Sequence, residues 1–228
     1  MEVVTQLLMR TLKTTVVGLI VLCCLVFFPA GTLAYWQGWT FVAVFSMSTT
    51  LIGLYLALAD PVLLERRVKA GPTAETRPVQ KIIITISFAV FCLMPIVSAL
   101  DHRFGWSHVP TWLSIVGNAL VVMGLMIDLQ VFRENTYGAA TIEKMKGQRV
   151  ITTGLYSIVR HPMYAGVLVM VFGTPLALGS RWGLVLAGAT VPMLMLRILD
   201  EEKMLRDELE GYETYAHDVR YRLLPGLW

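Results

Sequence analysis

Charge is scarce in this chain. Only 15% of its residues are Asp, Glu, Lys or Arg, against about 25% in soluble domains, which excludes an ordinary water-soluble globule. Cysteine is rarer still. Cys23, Cys24 and Cys92 lie in apolar stretches without metal-ligand spacing, so they read as small hydrophobes and no metal site is expected. There is no internal repeat and no low-complexity tract. No glycine-rich strand-to-helix turn of the Rossmann kind occurs either. The net charge of +3 is small. It suits contact with anionic headgroups and gives no case for nucleic acid.

What is abundant is apolar. Hydrophobic residues make up 56% of the chain and the mean hydropathy is +0.64. Six apolar stretches approach the length needed to cross a hydrocarbon core of about 30 Å. They lie at roughly 14–34, 36–59, 82–100, 111–132, 162–179 and 182–199. The second is the least clean, because Ser46, Ser48, Thr49 and Thr50 interrupt it. The first resembles a signal peptide in its flanks, but its length of about 20 residues favours a retained span. Only Arg103 and Arg181 of the 19 basic residues then fall outside. This positive-inside bias predicts cytoplasmic termini. The expected fold is an all-α polytopic membrane bundle of about six transmembrane helices, with a cytoplasmic connector and a C-terminal cap. Residues 1–110 would be N-terminal transmembrane helices and 111–228 the core of one continuous membrane domain.

The loop at 60–81 opens with Asp60-Pro61 and holds Gly71-Pro72, so it is expected to turn rather than extend a helix. Its cations would most simply meet inner-leaflet phosphates. Trp106 and Trp112 read as interfacial anchors, and His102 and His108 as solvated. Asn118 and Asp128 lie within the fourth span. An ionisable group there is a site candidate by default, although Arg133 is a possible partner for Asp128. The 133–160 connector carries the turn signal Asn135-Thr136-Tyr137-Gly138, then a β-branched run before Gly154 that suits a short extended segment.

The chemistry concentrates in Arg160-His161-Pro162-Met163-Tyr164-Ala165-Gly166. Pro162 fits the first turn of the fifth span, with His161 at the cap, and a helix start of this kind favours an anion. Arg160 adds a planar donor fork for a carboxylate or phosphate. The next span returns to Arg197 and the acidic run Asp200-Glu201-Glu202. Arg197 and Glu201, four apart, share a face. The two ends together would grip one charged ligand, a zwitterion or amino-acid-like cofactor. On residue chemistry alone these groups could equally set topology, or form a solvated helix face with internal pairs.

The same run, followed by the acidic pair, resembles the signature of the isoprenylcysteine carboxyl methyltransferase and phospholipid methyltransferase group of integral membrane enzymes. The likeness covers roughly residues 117–228 and includes Gly154-Leu155-Tyr156 and Gly211-Tyr212-Glu213-Thr214-Tyr215. It implies S-adenosylmethionine as cofactor, with S-adenosylhomocysteine as product, in a cytoplasmic pocket roofed by the connector and the tail. Carried over by residue, cofactor binding falls to Gln148, Arg149, Val150, Ile151, Tyr156, His161, Pro162, Met163, Tyr164 and Glu201. Arg197 is implied at the methyl acceptor. With Arg160 and Glu202 it makes up the expected catalytic set. A carboxylate acceptor would need no base, whereas an amine would lose a proton first, through Glu202 or Tyr164. The acceptor is expected to be amphipathic or lipid-like, with membrane lipids as surroundings. The oligomeric state is left open.

Membrane sterol and steroid reductases, which use NADPH, share an Arg-His-Pro-x-Tyr segment. They typically have Asn before the Tyr and Glu after the Gly, where this chain has Met163 and Val167. A scaffold or transporter would spread polar residues through the middle of several spans, and here they gather at one face.

Overall fold

The computed structural model describes residues 2–68, 75, 77–137 and 147–228, with the side chains of 2–8 and 10 left aside. The Gly71-Pro72 turn, Gly138, Lys69, Lys144, Lys146 and the Arg10 side chain lie outside the described residues. Among these residues there are eight α-helices and no strand. They are α1 (Glu2–Ala30), α2 (Trp36–Ala59), α3 (Pro61–Val68), α4 (Pro78–Phe104), α5 (Thr111–Glu134), α6 (Pro162–Ala177), α7 (Trp182–Glu208) and α8 (Tyr212–Asp218). Five helices are long and apolar enough to cross a membrane: α1 from Thr11, then α2, α4, α5 and α7. The fifth expected span is α6, an apolar helix of 16 residues. The chain is an integral, multi-pass membrane protein.

Side chains in lipid gain little from hydrophobic burial, so helices associate by close packing of small residues. The α5–α6 seam is built this way. A Cβ at Gly124 would sit 2.5 Å from the Gly166 carbonyl, and one at Gly173 would sit 2.8 Å from the Gly117 carbonyl. Gly117 and Gly124 are thus matched antiparallel against Gly173 and Gly166. This contact sets the entrance of α6 beside the end of α5.

The opposite end of the bundle is locked by Asp101, which is 1% exposed. Its carboxylate accepts hydrogen bonds from the Ser107 amide at 2.7 Å and from the Ser107 and Ser180 hydroxyls at 2.6 Å each. His102 departs from the solvated reading: its ring stacks on Tyr35 at 3.9 Å. Trp106 and Trp112 are exposed, as interfacial anchors should be.

Two features correct the sequence reading of the 60–81 loop. The chain does turn at Asp60, but a new helix starts at once. Asp60 Oδ1 accepts the Leu63 amide at 2.9 Å as an N-cap, and Pro61 occupies the first turn of α3. Its arginines also turn inward rather than to lipid phosphates. Arg66 donates to the Thr136 carbonyl at 3.0 Å, Arg67 lies over the Phe132 ring at 4.4 Å, and Arg77 pairs with Asp200 at 3.1 Å. The run at 148–152 belongs to no helix or ladder and leads into a 3-10 turn at Gly154–Ser157.

Because the seam has no room for a side chain, Gly124→Val should destabilise the protein by about 1–3 kcal/mol through overpacking. Gly188→Ala, where a Cβ meets nothing within 4 Å, should be near neutral. Denaturant unfolding of both variants in the same detergent measures the difference.

Candidate active site at the entrance of α6

Pro162 begins α6, and its missing amide costs nothing at a first-turn position. His161 is the N-cap, but its side chain does not cap the helix. It turns instead toward α7, where its Nε2 lies 3.2 Å from Glu202 Oε1. The same carboxylate accepts Arg160 Nε at 2.7 Å and Arg222 Nε at 3.0 Å. Arg160, His161 and Glu202 are all buried. Arg160 also donates to the carbonyls of Ala216, Val219 and Arg220. The amides of Arg160 and His161 donate to the carbonyls of Tyr221 and Arg222, both at 2.9 Å. One carboxylate on α7 therefore ties the entrance of α6 to the C-terminal tail.

A second cluster lies one turn into the helices. The Tyr164 hydroxyl donates to Glu201 Oε2 at 2.7 Å and accepts Arg197 Nε at 3.0 Å. Arg197 continues to Glu75 and to Gln80 Oε1, each at 3.0 Å. Gln80 Nε2 donates to Asp200 at 2.5 Å. Glu75 and Gln80 lie outside residues 117–228, which carry the family likeness.

These clusters border a half-open cleft with ≈ 600 Å³ of empty space, mouth included. The connector supplies Gln148, Arg149, Val150, Ile151 and Tyr156 to its wall. The α6 entrance supplies Arg160, His161, Pro162, Met163 and Tyr164, and α7 supplies Glu201. All ten residues expected to bind a cofactor thus meet at one surface. Of the three residues expected to be catalytic, Arg160 lines the cleft, while Glu202 lies behind it and Arg197 faces a neighbouring groove.

Sequence reasoning missed Asn135, Leu205, Leu209, Tyr212 and Tyr215. Leu205 and Leu209 follow Glu201 at intervals of four, so helical spacing alone could have found them. Asn135 Nδ2 donates to the Tyr156 hydroxyl at 2.8 Å, and the Tyr215 hydroxyl donates to the Tyr156 carbonyl at 2.8 Å. Burial pushes the Tyr156 phenol up to about 12, against the opposing Asn135 hydrogen bond, and raises Tyr212 and Tyr215 as well. All three are neutral phenols near pH 7. The buried Tyr212 hydroxyl has no hydrogen-bond partner among the described residues.

A groove between α4, α6 and α7 adjoins the cleft, with ≈ 1030 Å³ of empty space, mouth included. Met163 and Tyr164 line both. Residues 112–210 match the family model described as phospholipid methyltransferase. The likeness spans 99 of the chain's 228 residues. No curated protein matches the chain. The phospholipid methyltransferase segment begins at α5 and ends just past α7, so it contains the glycine seam, the α6 entrance and both acidic residues. Over that stretch the chain is similar to membrane methyltransferases.

Neutralising Glu202 would strand buried Arg160 without its counter-charge. Glu202→Gln should cost about 3–5 kcal/mol if the buried network behaves as such pairs do elsewhere. It should also speed tryptic cleavage after Arg220 and Arg222. Cleavage rates equal to wild type would mean that this carboxylate does not hold the tail.

Proposed function

We propose that the protein transfers a methyl group from S-adenosylmethionine to an amphipathic, lipid-like acceptor at the cytoplasmic membrane face. The observation that carries this reading is the shared wall. A cleft lined by the connector, the α6 entrance and Glu201 shares Met163 and Tyr164 with an apolar groove between α4, α6 and α7.

The donor set of the cleft fits the cofactor. Glu201 presents a carboxylate to a cationic group. Arg149 and the α6 N-terminus present positive charge and free amides to a carboxylate. Val150, Ile151, Leu205 and Leu209 make an apolar surface for a base, and the unpaired Tyr212 hydroxyl offers a hydrogen bond. S-Adenosylmethionine, when bound, supplies an already activated methyl group. The protein's task is then mainly orientation, with reacting atoms brought to about 3–3.5 Å.

Tyr164 connects the two compartments, since its hydroxyl holds Glu201 on the cleft side and Arg197 on the groove side. Arg197, braced by Glu75 and Gln80, orients the acceptor. We assign Arg160 and Glu202 a positioning role, because their polar atoms are engaged with each other and with the tail. An amine acceptor would lose its proton more directly through Tyr164 and Glu201 than through Glu202. The cytoplasmic orientation rests on the positive-inside distribution of charge. Residues 111–228 would form the catalytic core, and 1–110 would complete it through α3, Glu75 and Gln80.

Purified protein should bind S-adenosylhomocysteine by calorimetry and be stabilised by it on heating, as a ligand of the native state must do. Glu201→Gln and His161→Ala should each weaken binding about tenfold, the worth of one lost charged hydrogen bond, while helical content is kept. Normal binding by both variants would sink the assignment. Stabilisation by NADPH instead would point to the reductases.

A further inference from the structure

The segment after α8 is apolar and basic. Residues 219–228 read Val-Arg-Tyr-Arg-Leu-Leu-Pro-Gly-Leu-Trp, with two arginines and no acid. The segment folds back on itself. The amides of Arg222 and Leu223 donate to the Trp228 carbonyl at 2.8 and 3.0 Å, and the Leu227 amide donates to the Leu224 carbonyl at 3.1 Å. The Arg222 guanidinium lies over the Trp228 ring at 5.0 Å. Gly226, at φ +83°, permits the turn. The result is a short closed loop with an inner and an outer face.

On the inner face, Leu223 is buried against Tyr164 and Ile198, and Trp228, Leu168 of α6 and Leu194 of α7 pack around them. Tyr164 lies in the first turn of α6, and Ile198 lies at the end of the apolar run of α7. The loop therefore rests where both helices leave the hydrocarbon. Its outer face is apolar: Tyr221, Leu224 and Leu227 are 40%, 48% and 77% exposed. Arg220 is exposed beside them. The preceding helix is the opposite. Every exposed side chain of α8 is polar, namely Glu213, Thr214, His217 and Asp218. Such a helix suits water. An apolar loop with a tryptophan and an exposed arginine suits the membrane boundary, where aromatic residues anchor and cations meet acidic headgroups.

We propose that residues 219–228 form a membrane-docking surface, in which Tyr221, Leu224 and Leu227 seat in the headgroup boundary beside α6 and α7 and Arg220 meets an anionic lipid phosphate. The partner is the bilayer itself. The buried face of the loop is continuous with the flank of the two membrane helices, and its charge complements an acidic leaflet. The same segment carries Arg222, which donates to Glu202, and the Tyr221 and Arg222 carbonyls, which accept the amides of Arg160 and His161. Lipid under the loop therefore bears on the wall of the cleft. The inference does not depend on which cofactor the cleft holds.

The test uses the full chain with Cys23, Cys24 and Cys92 replaced by alanine. A single cysteine is introduced by Leu227→Cys or, as a water-side control, by Thr214→Cys. Each is labelled with an environment-sensitive fluorophore in nanodiscs of phosphatidylcholine and phosphatidylglycerol. The label at 227 should be quenched by lipids carrying a nitroxide near the headgroup and shielded from aqueous iodide. The label at 214 should behave in the reverse way. Quenching at 227 by iodide and not by nitroxide lipid would overturn the proposal. So would shielding from both, since protein and not lipid would then cover the loop. On the unaltered chain, trypsin should cut after Arg220 and Arg222 about fivefold more slowly with phosphatidylglycerol present than in phosphatidylcholine alone, the effect of roughly one cation at an anionic surface. Leu227→Asp should remove that protection. Equal wild-type rates in the two lipids would count as failure. If the cysteine-free protein does not fold, this tryptic comparison decides.

Discussion

The site depends on one buried carboxylate. Glu202 accepts from Arg160, His161 and Arg222 within 3.2 Å, and these come from the α6 entrance and the tail. Apolar contacts join the same segments, where Leu223 of the tail packs with Tyr164 and Ile198. An ion cluster of this kind is a weak source of stability, because desolvation offsets much of the attraction. Its effect is geometric: it allows one arrangement of three chain segments, and the cleft is the space that arrangement encloses.

The carboxylate can act only if the two helices that carry the cluster are already close. Here the glycine seam supplies the constraint. With Gly117 and Gly124 against Gly173 and Gly166, α5 and α6 approach until backbone touches backbone. Lipid competes with apolar side chains but not with such close packing. The seam also encloses Asp128, which is buried against the Gly166 backbone.

Tyr164 joins two environments that would otherwise be independent. Its hydroxyl is shared between the Glu201 carboxylate and the Arg197 guanidinium. The charge of Arg197 is in turn spread over Glu75 and Gln80, and through Gln80 to Asp200 and Arg77. Conservative changes in the 75–80 segment therefore bear on the site, although they lie outside the methyltransferase segment.

The sequence by itself determined the membrane class, the six long apolar helices and a set of residues that meet at one cleft. The first two follow from long apolar runs ended by Pro, Gly and charge, which are local signals. The last came from the family resemblance carried by Arg160 to Gly166 and the acidic pair. What only the tertiary structure decided was pairing between distant segments. The sequence could not say that Arg160 and Glu202 would be engaged with each other, or that α3 would form after Asp60. It gave no sign that Arg67, Glu75 and Gln80 would reach a site built mostly from the other half of the chain. Those contacts depend on how closely helices approach, and a single glycine in a run of apolar residues carries no mark of which neighbour it lets in.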